Sequence, residues 1–501
     1  MKTPTLTLDG ESLRVCDLLN IDTVELSLTG RRNIEQARVL VDRAIARGDP
    51  VYGVTTGLGA KVSQRLTARD QSRFSIHTLR GRAHALGDPM AVGQVRAAMV
   101  VRLNTLARGA AGVSPEIAQR LAECINAGLT PVVGASGSIG ASDLVQGAVL
   151  GLALLGEGRM FDAAGHLLPA TEALAAAGLG TLSLAPRDGL ALASHSSFSA
   201  AQAALGVAGA KRLLEAAQSA AALSMEGFRA NLSPLTPEVL ALRPQAGQVQ
   251  AAAELTERLA GSSLWQTGSA RRLQDPLSIR NIVQIHGAAL AALEIAREGA
   301  EQEINGASDN PAVVTELDTL VSCGGYLTPY LGLVTETLCR GLLQLVLAQL
   351  ARISKMLNHS FSDLPQHLAQ SGASANGFGP LLKPAEALAI EIAQLAQAVP
   401  SWPSVSASGV EDVMTTAPAA GKNLLGIIER ANRISAIELL VAAQAVELRG
   451  CRQEMGPCMR QILEQIRGCS APLVEDRPLA GDIEILAGKI AAGEFSAANY
   501  R

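Results

Sequence analysis

Apolar residues return at three- and four-residue steps along much of this chain, and the rhythm breaks at glycine and proline. The stretch NIEQARVLVDRAIARG (33–48) predicts an amphipathic helix that stops at Gly48. A Gly/Thr loop follows, VYGVTTGLGA (51–60). Residues 95–112 and 114–128 predict two more helices with glycine stops. They lead into TPVVGASGSIGASDLVQG (130–147), a run of small residues that writes Ala-Ser twice. From about residue 188 long apolar helices take over: an Ala-rich one over 187–225, then 278–304, 329–357, 383–398 and 419–449. No fixed-period repeat or low-complexity linker interrupts them. The pattern predicts an N-terminal domain over 1–200 that carries the loops, and a long antiparallel helical bundle over 201–501.

Composition supports helix over sheet. Apolar residues make up 48% of the 501 positions and aromatics only 3%, and the abundant Ala and Leu lose little rotamer freedom in a helix. Forty-two basic against 46 acidic side chains leave a net charge of −4 with no basic cluster, which argues against a nucleic-acid partner. The N-terminus shows no signal-peptide core, and the most apolar run, 341–351, is bounded by Arg340 and Arg352 and is too short to span a bilayer. A cytoplasmic location without membrane attachment is the expectation. The seven cysteines form no CxxC pair and the seven histidines are scattered, so reduced buried thiols and no metal site are expected.

Chemistry concentrates in the small-residue run. In an Ala-Ser-Gly tripeptide the glycine nitrogen, unshielded by a Cβ, can attack the alanine carbonyl. Loss of two waters then gives a methylidene-imidazolone, an electrophile made from the chain itself. The letters occur as Ala135-Ser136-Gly137, while the second pair reads Ala141-Ser142-Asp143. Ser142 and Asp143 also precede an apolar helical run, where a hydroxyl or carboxylate can cap the free amides and favour an anion.

Taken together, YGVTTGLGA, RAHALG, VRLNTLARG, NAGLTPVV, QDPLSIR (274–280), EINGASDNPAVV (303–314) and AIELLVAAQ (436–444) resemble the aromatic amino acid ammonia-lyase family, its histidine-type members above all. The resemblance implies a mainly α, ammonia-lyase/aspartase-like subunit. It also implies a homotetramer whose active sites draw on three chains, and loss of ammonia from histidine or tyrosine through the self-formed ring, with no external cofactor. In its register Ala141, Ser142 and Asp143 occupy the ring position, with Asp143 where the family has glycine. Ala135-Ser136-Gly137 is the displaced alternative.

The same resemblance assigns Tyr52 as general base and Arg280 as the grip on the substrate carboxylate. It places His84, Gln274 and Glu411 around the substrate, and Ser194 where the family has a catalytic Asn. Leu277, Tyr326, Leu327, Thr328 and Val410 depart from the family pattern. Each retained residue also has a plain structural reading: Tyr52 packing on the core, Arg280 paired with an acid, His84 in a surface loop, Glu411 solvated at a helix end. His195, beside Ser194, is either a replacement acid or base or without a role. The departures leave a second function open, a ring-less relative without ammonia-lyase activity that binds a carboxylate ligand or runs other acid/base chemistry.

Overall fold

The computed structural model describes residues 5–370 and 372–496, and nineteen α-helices lie among them. The helices follow the apolar rhythm closely. Leu28–Arg47 is opened by Ser27, whose side chain accepts from the Gly30 amide, and closed by Gly48 at φ 69°. Val92–Ala107, Pro115–Asn126, Pro329–Leu357, Leu382–Leu395 and Ala417–Arg449 match predicted helices to within a few residues. Two predicted helices are broken. The Ala-rich one divides into Asp188–Ala193 and Ser197–Phe228, and the stretch at 278–304 into Leu277–Arg280 and Ile282–Ile304. Strands are two to four residues long, too short for a period-2 pattern to register in the sequence.

The chain forms two compact units that are not consecutive in sequence. The first takes residues up to Leu205, Arg297–Thr335 and Val399–Lys422. The second takes Gly206–Ala296, Glu336–Ala398 and the chain from Asn423 onward. The sequence boundary at 200 therefore leaves 297–335 and 399–422 on the wrong side. Periodicity reports only local structure, and these segments join the first unit through long-range contacts.

In the first unit the strands Leu86–Pro89 and Gly134–Ser136 pair antiparallel, as do Ala312–Val314 and Thr319–Val321. Val92–Ala107 is apolar on nearly every side and is buried from Ala97 to Ala107. Its Arg102 reaches Asp309 with two nitrogens, at 3.1 and 2.8 Å, and both side chains are fully enclosed.

In the second unit the helix beginning at Ser197 lies against Ala417–Arg449 through glycines. Gly206 faces Leu424, Gly209 faces Ile428 and Gly227 faces Ala445, so the two helices run in the same direction. A Cβ on Gly206 would stand 2.5 Å from Leu424 Cδ2, so a larger residue there would have to push the Leu424 side chain aside. A pair so distant in sequence is not bound to the antiparallel order that short loops impose. Arg352 and Glu438 form a second enclosed ion pair, at 2.6 and 3.0 Å.

Pro329–Leu357 is the one helix among the described residues long and apolar enough to cross a membrane, which the shorter run at 341–351 did not foretell. Its most apolar window is 56% buried within the protein.

Glu226 lies fully buried in the second unit, and burial, offset in part by Ser262 and Arg229, pushes its carboxyl up to about 7. Below about pH 4.5 the group holds its proton in folded and unfolded chains alike. Between there and about pH 7 only the folded chain keeps it, so this contribution to stability is lost as pH rises. At about 1.4 kcal/mol per pH unit the loss approaches about 3 kcal/mol. Glu226→Gln, which carries no proton to lose, is expected to flatten the fall; urea midpoints across this interval check it.

Candidate active site

Tyr52 stands in a tight loop because the Val51 carbonyl accepts the amides of Val54, Thr55 and Thr56 at 3.0–3.1 Å. The Thr55 hydroxyl ties the loop again to the Asp49 carbonyl at 2.5 Å. The loop turns the Tyr52 phenol back on Gly59, whose amide donates to its oxygen at 3.0 Å. Gly59 itself has φ +55°, a backbone shape that suits glycine.

The small-residue run forms the opposite wall. Ser142 is buried with φ 62°, a conformation costly for a residue with a Cβ. Three connections hold it there. Its amide donates to the Tyr326 carbonyl at 3.0 Å, Ala141 bridges Leu327, and the Ser142 and Ser194 hydroxyls lie 3.2 Å apart. Ahead of it, Gly140 passes so close to Thr415 that a Cβ would collide with the threonine hydroxyl.

These walls enclose a cavity of about 810 Å³ within the first unit. Tyr52, Ala141, Ser142, Ser194 and Glu411 all line it, so five of the residues expected from the sequence meet. Lys61, His77, Arg82, Tyr326 and Asp412 line it as well. Sequence reasoning did not assign these five a role. Lys61 directly follows the glycine-rich loop of Tyr52, a usable signal, and Tyr326 departs from the family pattern.

Four expected residues are placed elsewhere. His84 is exposed beyond the end of helix Ala68–Arg80 and does not line the cavity; His77, inside that helix, does. Gln274 and Arg280 belong to the second unit, where the Arg280 guanidinium bonds the Gln274 side-chain oxygen, and neither lines the cavity.

Asp143 turns away from Ser142. It stands at the N-cap of Leu144–Leu154 but makes no side-chain cap there. Its carboxylate instead takes the Ser199 amide at 2.8 Å, the Ser199 hydroxyl at 2.7 Å and the Ser138 hydroxyl at 2.7 Å. It thus caps the helix Ser197–Phe228 rather than its own, which corrects the sequence reading. Burial pushes this carboxyl up, and the bonds from Ser199 and Ser138 pull it back. Glu303 is pushed up to about 7 by burial and by the nearby Asp143.

His195 lies fully buried in the break between helices. Its Nδ1 accepts the Ser197 amide at 3.3 Å, so Nε2 carries the proton and donates to the Leu192 carbonyl at 3.1 Å. Burial first, then Arg102, holds its pKa well below the ordinary imidazole range. His195 is a neutral clasp between two helices, with neither nitrogen free for acid/base work.

The residues at the ring position do not fit a methylidene-imidazolone. Closure needs the Asp143 amide nitrogen to reach the Ala141 carbonyl, an approach that the Cβ of Asp143 hinders as glycine would not, and the amide is turned instead to the His195 carbonyl at 2.7 Å. The anchored carboxylate also holds the Asp143 Cα in place, where glycine would be free. The displaced Ala135-Ser136-Gly137 is no substitute. Its first two residues lie in the strand Gly134–Ser136, with Ser136 opposite Leu86, and all three line a separate cavity of about 270 Å³.

Comparison with known proteins agrees with the fold. The family described as aromatic amino acid lyase matches residues 13–468. Histidine ammonia-lyase from Stigmatella aurantiaca is 33% identical over 502 residues, covering 99% of this chain and 98% of that protein. Among solved structures, histidine ammonia-lyase from Trypanosoma cruzi superimposes with a TM-score of 0.92 at 27% identity, over 99% of this chain and 96% of that one. The ergothioneine-degrading ergothionase from Treponema denticola, solved with desmethyl-ergothioneine sulfonic acid, gives 0.91 at 26% identity, over 98% and 99%.

Proposed function

Because the chain belongs to the aromatic amino acid lyase family, whose members are carbon–nitrogen lyases, we propose that it expels ammonia from a histidine- or tyrosine-type amino acid without forming a ring from its own backbone. The observation that carries the second half is the anchoring of Asp143, whose amide is committed to the His195 carbonyl and whose carboxylate is committed to Ser199 at the start of the next helix. Tyr52 takes the β-proton. Its oxygen accepts from the Gly59 amide at 3.0 Å, which fixes the phenol in place at the cavity wall for proton abstraction.

The Ser142 and Ser194 hydroxyls offer donors and acceptors to the amino acid backbone, and Glu411 offers a carboxylate to its nitrogen. Arg280 is matched to the substrate carboxylate by its planar fork of donors, and in a homotetramer it would be supplied to the cavity by another copy. Coverage of nearly the full length of histidine ammonia-lyases supports histidine as the first substrate to try.

Two measurements test this reading. Intact-protein mass spectrometry is expected to return the full unmodified mass; a mass lower by two waters would establish the ring and end the ring-less reading. Incubation with histidine and with tyrosine is expected to release ammonia and the matching arylacrylate, and failure with both would remove the lyase reading.

A further inference from the structure

A lyase without an electrophilic ring still has to make the amino group leave, and an amide-like anion of ammonia cannot depart unprotonated. Resting on the ring-less reading above, we propose that Tyr326 is a second catalytic phenol, the acid that protonates the departing nitrogen. It occupies the turn at Gly324–Leu327, a place that departs from the family pattern.

Its backbone is fastened to the segment where a ring would otherwise stand. The Tyr326 carbonyl accepts the Ser142 amide and the Ser196 hydroxyl, both at 3.0 Å. Leu327 bridges Ala141, and the Thr328 hydroxyl lies 3.3 Å from that of Thr415. Tyr326 and Tyr52 line one cavity, although the whole chain has only four tyrosines.

The two phenols have different surroundings, which divides their roles. Tyr52 already accepts an amide hydrogen at its oxygen, an arrangement that holds this oxygen as the acceptor of the pair. No described residue donates to the Tyr326 phenol oxygen, and its O–H is the one placed in the cavity to act as donor. The nearby His195 has both nitrogens occupied and cannot take the task.

The step balances. The Tyr52 phenolate takes the β-proton, and the C–H pair becomes the Cα=Cβ double bond. The Cα–N bond breaks, and the nitrogen leaves with its pair and gains the Tyr326 proton. An unprotonated amino group thereby departs as ammonia, Tyr52 ends as phenol and Tyr326 as phenolate. One proton passed from Tyr52 to Tyr326 restores the starting state without any further reagent.

Tyr326→Phe tests this, with histidine and tyrosine as substrates and kcat followed against pH. The variant is expected to keep the wild-type melting temperature, to lose about 100-fold or more in kcat, and to lose the alkaline limb of the wild-type profile. Release within a few-fold of wild type, or an alkaline limb that persists in the variant, would overturn the assignment while leaving the lyase reading intact. Parallel losses of activity and melting temperature would overturn it in favour of a structural role. A wild-type protein that releases no ammonia from either substrate would overturn both.

Discussion

Tyr52→Phe is expected to lower ammonia release by about 100- to 10,000-fold, the range that loss of a positioned general base produces. Removing the phenol oxygen gives up one hydrogen bond, from the Gly59 amide, in a residue that is only half-buried. That is worth about 1 kcal/mol, so the melting temperature should shift by only a few degrees. The contrast between a large kinetic effect and a small thermal one separates a base from a packing residue. A variant that retains activity within about ten-fold would return Tyr52 to the role of a ring that covers the core.

The largest effect on stability is expected at Asp309→Ala. Asp309 receives both terminal nitrogens of Arg102, and Arg187 lies 4.0 Å away, all three side chains being essentially buried. Alanine strands two guanidinium groups in the interior. Breaking one side of a buried pair costs about 3–5 kcal/mol, which a shift in the urea midpoint would report. The damage should reach the cavity too. Arg102 also donates to the Ala191 carbonyl at 2.6 Å, close to Ser194, and Arg187 holds the Pro311 carbonyl at 2.8 Å, next to the cavity-lining Asn310. Asp309→Asn, which keeps the shape and one acceptor, is expected to lose less of both. A fully stable alanine variant would mean that the two arginines find other partners.

The helices were legible because each depends on a short stretch of chain. Ser27 and Gly48 bound one helix by local capping, and the apolar rhythm of 329–357 reproduces Pro329–Leu357. The Tyr52 loop was legible for the same reason, since its glycines dictate a turn whatever lies around it. Of the two predicted helices that break, the one interrupted at 194–196 holds His195 there, whose ring bonds to the Leu192 carbonyl and the Ser197 amide stand in for helix bonds. No rule of periodicity encodes a buried imidazole clasp.

By itself the sequence determined a mainly helical chain, the place of Tyr52 on a glycine-rich turn, and the position of Ala141 and Ser142 before an apolar helix. Each follows from residues within a few positions of one another. Only the tertiary structure decided that Asp143 caps a different helix, that His84 stays outside the cavity while His77 and Tyr326 enter it, and that 297–335 and 399–422 complete the first unit. Those outcomes depend on which distant backbone groups need a partner once the chain is compact. A buried amide such as that of Ser142 or Ser199 must find an acceptor wherever the fold brings one within reach.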